Sequence, residues 1–422
     1  MKKELYAFVF LVMLSAFCFI SCTKDTVTEH YTFYRPVYKT KDEVKNNIKS
    51  NAAESLQQPG KLFIKGNYIF LNDIDKGIHV IDYSNPAQPR NAAFINIPGN
   101  RDLAVRGNYL YADCYTDLVT IDISNPSDVK LKQFINGVFP QRYYTNYTAD
   151  TGRVIQEWVR VDTTITHKFD EKSYIDDRYI LYNPAFFFSY SNSQQTPVNA
   201  PVNGIGGSMA RFALLKDRMY TISDADLKVF NTTDASDPKY VKAVSLMQGS
   251  IETIFPYDDK LFIGSQTGMY IYDASNADSP VKLGEFNHVR TCDPVITDGK
   301  YAYVTLSGGG ACAGFENELD ILDISNLFNP YMINSYQLTN PKGLSKDGNL
   351  LFICDGADGL KVFNAADVKN LLQLTQVQGM STYDVIAQNG IAIVVAEDGL
   401  YFIDYKNTSN IKMVSKISFA KQ

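Results

Sequence analysis

Gly77-Ile78-His79-Val80-Ile81-Asp82-Tyr83-Ser84-Asn85-Pro86 is a run of alternating side chains closed by a turn, and the chain repeats it. It returns as Leu118-Val119-Thr120-Ile121-Asp122-Ile123-Ser124-Asn125-Pro126 and as Leu319-Asp320-Ile321-Leu322-Asp323-Ile324-Ser325-Asn326. Shorter echoes are Leu227–Asn231, Met269–Asn276, Leu360–Asn364 and Leu400–Asp404. The Asp or Asn ending each run falls at 82, 122, 231, 273, 323, 364 and 404, so the gaps are 40, 109, 42, 50, 41 and 40 residues. A unit of about 40 residues with two insertions marks a repeat architecture. Asp and Ser side chains bond amides just beyond them and Pro stops a strand, so these residues read as turn-makers rather than catalysts.

A hairpin precedes each run. Leu103–Tyr111 and Val295–Val304 show a β-branched or aromatic stretch, a Gly/Asn/Asp turn, and a second such stretch. A weaker fourth stretch follows the turn, as in Val281-Lys282-Leu283-Gly284-Glu285-Phe286. Four short strands per unit is the arithmetic of a propeller blade. The expectation is an all-β propeller of seven four-stranded blades over residues 61–422. Tyr174–Tyr182 could supply a hairpin of an eighth.

The seven phrases resemble the LVIVD-repeat family, in which G-L-x-I-x-D-x-S-x-P marks each propeller unit. Asn231 and Asn364 stand where that pattern has Asp. The resemblance implies a fold and a surface location; it implies no reaction.

The first 21 residues read as a leader. Lys2-Lys3 is followed by an uncharged apolar run over residues 5–20, short for a bilayer span and suited to a signal-peptide core. Phe19-Ile20-Ser21-Cys22 resembles the lipobox of bacterial lipoproteins, with Phe19 in place of the usual Leu. That resemblance implies lipidation of Cys22, several acyl chains, and anchoring in a Gram-negative cell envelope, with the outer membrane expected. Residues 22–60 read as a tether carrying an aromatic island (His30–Tyr38) and a short helical segment (Lys41–Lys45).

Composition narrows the partners. The chain is 45% hydrophobic and 20% charged, which excludes a disordered chain. A net charge of −6 without basic runs argues against nucleic acid, whose binding rests on phosphate neutralisation. The expected partners are the membrane, through the anchor, and a protein or glycan.

Both insertions should leave one face, here called the upper face. The large one (about 137–205) is aromatic-rich and holds the only Trp, Trp158, and the block Phe186-Phe187-Phe188. These residues form either a binding platform or the insertion's own core. The small one (Ser307–Gly314) should be pinned by a Cys292–Cys312 disulfide, which export permits. Cys114 and Cys354 are expected as small buried hydrophobes.

Aligning the first strands places Arg101, Asp102, Arg211, Glu252, Asp293, Lys342 and Asp384 near the upper end of the channel, as a candidate binding site or a self-satisfied ring of ion pairs. Asp73-Ile74-Asp75-Lys76-Gly77 resembles the start of a calcium loop without its later Glu, and turn chemistry is the expected reading. No cofactor is expected.

The function read from these features is a non-catalytic binding or scaffold module. The alternative is a polysaccharide hydrolase or lyase, which for hydrolysis needs carboxylates about 5–9.5 Å apart. Glu252, Asp293 and Asp102 are its candidates. No Gly-x-Ser-x-Gly, His-Glu-x-x-His or phosphate-loop motif is present. A third reading is a structural part of an envelope complex.

Overall fold

A computed structural model describes residues 26–140, 152–168, 205–223, 225–246, 251–287, 294–308 and 317–420. Among them the strands form seven blades, I to VII, at residues 59–96, 103–135, 212–245, 251–287, 295–337, 344–377 and 382–418. Each is a four-stranded antiparallel meander, and the expectation of a seven-bladed propeller holds. The leader and Cys22 lie outside the described residues, as do the proposed eighth hairpin and Phe186–Phe188.

The turn chemistry works in all seven copies. Asp82, Asp122, Asn231, Asp273, Asp323, Asn364 and Asp404 each accept, through Oδ1, the amide two residues ahead at 2.8–3.0 Å. The amide oxygen of Asn does this as well as a carboxylate, which explains why Asn231 and Asn364 fit the repeat. In six copies a second Asx turn follows three residues further on. These backbone bonds hold the carboxyls of Asp82, Asp273 and Asp323 below their ordinary range. Asp323→Asn is therefore expected to change stability by less than about 0.5 kcal/mol, and Asp323→Ala to cost about 1 kcal/mol. The midpoint of urea unfolding measures both.

The Gly that opens the phrase answers to a close approach. A Cβ on Gly77 would fall 2.1 Å from the Ile95 carbonyl of the neighbouring fourth strand. Every blade also carries a bulge between its third and fourth strands. A bulge twists the outermost edge away from flat pairing with another chain.

Strands two and three are buried on both faces, so apolar residues fill the spaces between blades. Leu103, Val105 and Leu110 pack with Ile78 and Val80 across I–II, while Phe212 and Phe230 carry that cluster into III. Separate clusters join III to IV, IV through VI, and VI to VII. Leu62, Ile64 and Ile69 of blade I meet Ile386, Ile393 and Phe402 of blade VII, closing the ring. Tyrosines of the second strands also set register: Tyr111 and Tyr220 donate their hydroxyls to the Ala235 and Ala277 carbonyls of the next blade's turn, at 2.8 and 2.7 Å.

The stretch read as a tether contains three elements. Helix α1 (Lys41–Asn46) has a capping box, in which Glu43 N–H donates to Thr40 Oγ1 and Thr40 N–H donates to Glu43 Oε2. Lys49–Asn51 adds an outer strand to blade I. Thr26–Thr40 pairs with Arg153–Lys168 of the large insertion in a two-stranded sheet. Residues 26–38 and 157–168 of this ribbon are the described part of a separate compact unit. Thr28 with Thr166, His30 with Thr164 and Thr32 with Asp162 bond side chain to side chain along it. Trp158 lies half-buried on the same strand.

Candidate functional site

The channel is decided by residues 205–211. After the large insertion the chain re-enters the propeller as a short strand, Ile205–Gly206, paired to the inner edge of blade I at Ile64 and Phe63. Gly207 N–H donates to the Leu62 carbonyl at 3.0 Å. Ser208 Oγ accepts the amide of Leu344, the first strand of blade VI, at 2.9 Å. The Ala210 carbonyl accepts the Ile254 amide of blade IV at 3.1 Å. The Arg211 amide donates to Asp102 Oδ2 of blade II at 2.6 Å. Gly207 itself lies against Asp384 of blade VII. Only a segment on the ring axis can touch the inner strands of blades I, II, IV, VI and VII. Residues 207–210 are buried, and they plug the channel.

Beside this plug the charged residues converge. Lys61, Asp102, Arg211 and Asp384 each stand directly before the apolar run of their blade's first strand. They come from blades VII, I, II and III in ring order, as Asp384, Lys61, Asp102, Arg211, with alternating sign. Glu252 of blade IV also acts on Lys61. Asp102 is buried and spends both oxygens, accepting Leu103 N–H at 2.7 Å as well as Arg211 N–H. Burial pushes its carboxyl up to about 6, against the pull of the Lys61 ammonium. Lys61 is half-buried by accessible surface but encircled by protein, and desolvation brings it down to about 8 against the opposing pull of Asp102.

Asp384 differs. It is fully buried, and Oδ1 accepts the Val385 amide at 2.6 Å. Oδ2 has no hydrogen-bond partner among the described residues. Burial pushes this carboxyl well above its ordinary range; the Val385 amide and Lys61 oppose the shift.

The aligned set thus divides. Asp102, Arg211, Glu252 and Asp384 gather around Lys61. Arg101 instead pairs with Asp75, Nε to Oδ1 at 3.0 Å and Nη2 to Oδ2 at 2.9 Å. Lys342 lies over the Tyr383 ring at 4.2 Å. Asp293, Cys292 and Cys312 lie outside the described residues. Cys114 and Cys354 are buried, with the Cys114 thiol donating to the Pro98 carbonyl at 3.2 Å.

Lys61 was missed by the alignment, although it occupies the same register in blade I. A second omission is the buried chain Asn72–Asn100–Asp113. Asn72 Nδ2 donates to Asn100 Oδ1 at 2.6 Å, and Asn100 Nδ2 to Asp113 Oδ1 at 2.9 Å. Asp113 Oδ1 also receives the amides of Arg101 and Asp102 at 2.7 and 2.8 Å, fixing the backbone that presents both. The calcium-like loop is spent as well. Asp73 accepts Gln57 N–H and Gln58 N–H at 3.0 and 3.1 Å and faces His79, and Asp75 holds Arg101.

With this geometry, comparison with known proteins is informative. The LVIVD repeat model matches residues 60–93, 99–136 and 291–338. The chain carries LVIVD repeats. The matched segments contain blades II and V and nearly all of I, and the other four blades carry the same Asx turns. No curated protein matches the chain in sequence. Three solved structures are similar, each at a TM-score of 0.50. A computationally designed protein, Ika8, is 10% identical over 87% of this chain and 90% of its own. A protein from Lactobacillus plantarum is 12% identical over 85% and 98%. A periplasmic gluconolactonase from Pseudomonas aeruginosa is 10% identical over 86% and 97%. At such identities the likeness is one of fold.

Proposed function

We propose that this LVIVD-repeat propeller is a non-catalytic binding or scaffold module, exported, lipid-anchored through Cys22 in the cell envelope, and directed at a protein or glycan partner. The observation that carries the reading is the plug: where enzymes of ring architecture would place a solvent-filled axial site, this chain places its own residues 207–210. Recognition then falls to the upper face. Both insertions leave from it. Phe139 N–H, where the large one departs, donates to the Thr116 carbonyl at 2.8 Å, and Ser307, where the small one departs, bonds Asn340 at 3.1 Å. Both partners lie in connections of that same face.

The polysaccharide-processing alternative is not favoured. Its candidate Asp102 is committed to two backbone amides, and Glu252 accepts Gln266 Nε2 at 3.0 Å.

The test compares the full chain with a variant whose residues 169–204 are replaced by a Gly/Ser linker, on a glycan array and against purified envelope proteins. Binding that is lost with an unchanged melting temperature is the expected result. Equal binding by both would remove the insertion as the platform. Hydrolysis or elimination of a polysaccharide, abolished in Glu252→Gln/Asp293→Asn, would overturn the non-catalytic reading. Cys22→Ala is expected to abolish incorporation of an alkynyl fatty acid during expression.

A further inference from the structure

The seat of the plug is chemically unusual. A Cβ built on Gly207 would fall 2.2 Å from Asp384 Oδ2 and 3.1 Å from Leu62 Cδ2, so the bare face of Gly207 packs against that oxygen. Oδ2 therefore meets C–H groups where a carboxylate would need donors. An ionised oxygen so placed is strongly disfavoured, while a protonated one is tolerated. We propose that residues 205–210 form a latch: they stay seated in the channel while Asp384 carries its proton, and its ionisation unseats them.

The surrounding charges support this. Among the described residues Lys61 is the cation that acts on Asp384. The other groups in the channel are Asp102, Arg211 and Glu252, which act on Lys61, and Cys354 of blade VI, whose thiol is pushed well above its ordinary range by burial and then by Asp384 itself, with Lys342 opposing. Asp102 receives the Arg211 amide, the Lys61 ammonium acts on both carboxylates, and Oδ2 has no hydrogen-bond partner among the described residues. The carboxyl held well above its ordinary range is what this geometry requires. Unseating frees Gly207 N–H from Leu62, releases Ser208 from Leu344, and passes one proton from Asp384 to solvent. The inference concerns the channel and does not depend on the binding reading.

The sign follows from linkage. Between pH ~4, the ordinary Asp value, and the raised value of the seated carboxyl, the seated form binds up to one proton more than the open form. Seating therefore weakens as pH rises. Asp102, raised to about 6, contributes the same sign only up to that value. Lys61, lowered to about 8, contributes the opposite sign only above it. The window from about pH 6 to 8 isolates Asp384.

Hydrogen–deuterium exchange on the full chain, corrected for intrinsic rates, tests this. Protection of the Gly207 and Leu344 amides is expected to fall as pH rises across the window, by up to about ten-fold per pH unit, the limit of one-proton linkage. Ile254, whose amide donates to Ala210, should follow them, while amides of the blades whose acceptors lie outside residues 205–210 should hold steady. Asp384→Asn, neutral at every pH, should abolish the slope. If that variant does not fold, Lys61→Gln is the second arm, and withdrawing that cation should move the fall to higher pH. Flat protection in the natural chain, or a slope retained in Asp384→Asn, would overturn the latch.

Discussion

Phe402→Ala is expected to cost about 3–5 kcal/mol, the range for deleting a buried Phe ring. Phe402 is fully buried in the cluster of Leu62, Ile64, Ile69, Leu71, Ile386, Ile393 and Val395 that joins blade VII to blade I. Its position makes the loss more than a cavity. All four strands of blade I come from residues 59–96 and all four of blade VII from residues 382–418, so no blade is shared between the two ends of the chain. The seam has little polar support. Ser415 Oγ donates to the Pro86 carbonyl at 2.5 Å, Gln388 Nε2 to Tyr83 Oη at 3.1 Å, and the Ala420 amide to the Leu56 carbonyl at 2.8 Å. Apart from these and the attraction of Lys61 for Asp384, the described contacts of the seam are apolar, with Leu56 and Phe419 covering the cluster. The equivalent truncation Phe352→Ala falls at the VI–VII junction, where the chain runs directly from one blade to the next. It should lower the unfolding midpoint by a similar amount in a single transition. Phe402→Ala should instead split the transition, with amides of blades I and VII losing exchange protection first. A single cooperative transition in Phe402→Ala would mean that the plug, not the seam, holds the ring closed.

Most of the architecture was legible because a propeller repeats its local physics. Seven Asx turns at fixed spacing each depend on a side chain reaching two residues along its own backbone, and that is written in the sequence. The helix at Lys41 was legible for the same reason: a Thr three residues before a Glu caps it locally. Thr26–Thr40 pairing with Arg153–Lys168 was not legible, since nothing local ties residues more than a hundred positions apart. The candidate site shows the same division. Register alignment found Asp102, Arg211 and Asp384, because equivalent positions in a ring must converge on its axis. It could not separate Arg101 from Asp102, whose side chains part because consecutive residues of an extended backbone point to opposite sides. The plug lay beyond reach. Ile205-Gly206-Gly207-Ser208 reads as an ordinary Gly-rich connection, and its place on the axis follows from bonds to blades I, IV and VI that no spacing encodes.

Gly207→Val probes that placement. Gly207 accommodates no side chain: a Cβ would stand 2.2 Å from Asp384 Oδ2, 3.1 Å from its Cγ, and 3.1 Å from Leu62 Cδ2. Asp384 cannot retreat, because its Oδ1 is bonded to Val385 N–H at 2.6 Å and the residue is enclosed. Leu62 belongs to the closing cluster between blades I and VII. The branched side chain must therefore either force the inner strands apart or leave the channel, taking residues 205–210 with it. Overpacking of this kind costs about 1–3 kcal/mol, occasionally more, and expulsion would expose Met209, now 1% accessible. A destabilisation of about 3 kcal/mol in urea unfolding is expected. Loss of protection at Leu344, whose amide donates to Ser208 Oγ, should accompany it. Gly206→Val is the control, since its Cβ would approach the Phe63 ring at 3.1 Å and Ala210 Cβ at 3.5 Å, distances a small shift relieves. It should cost less than half as much. Equal costs for the two variants would show that the segment lies loosely against blade I and does not fill the axis, which would remove the plug and the argument for an upper-face binding site with it.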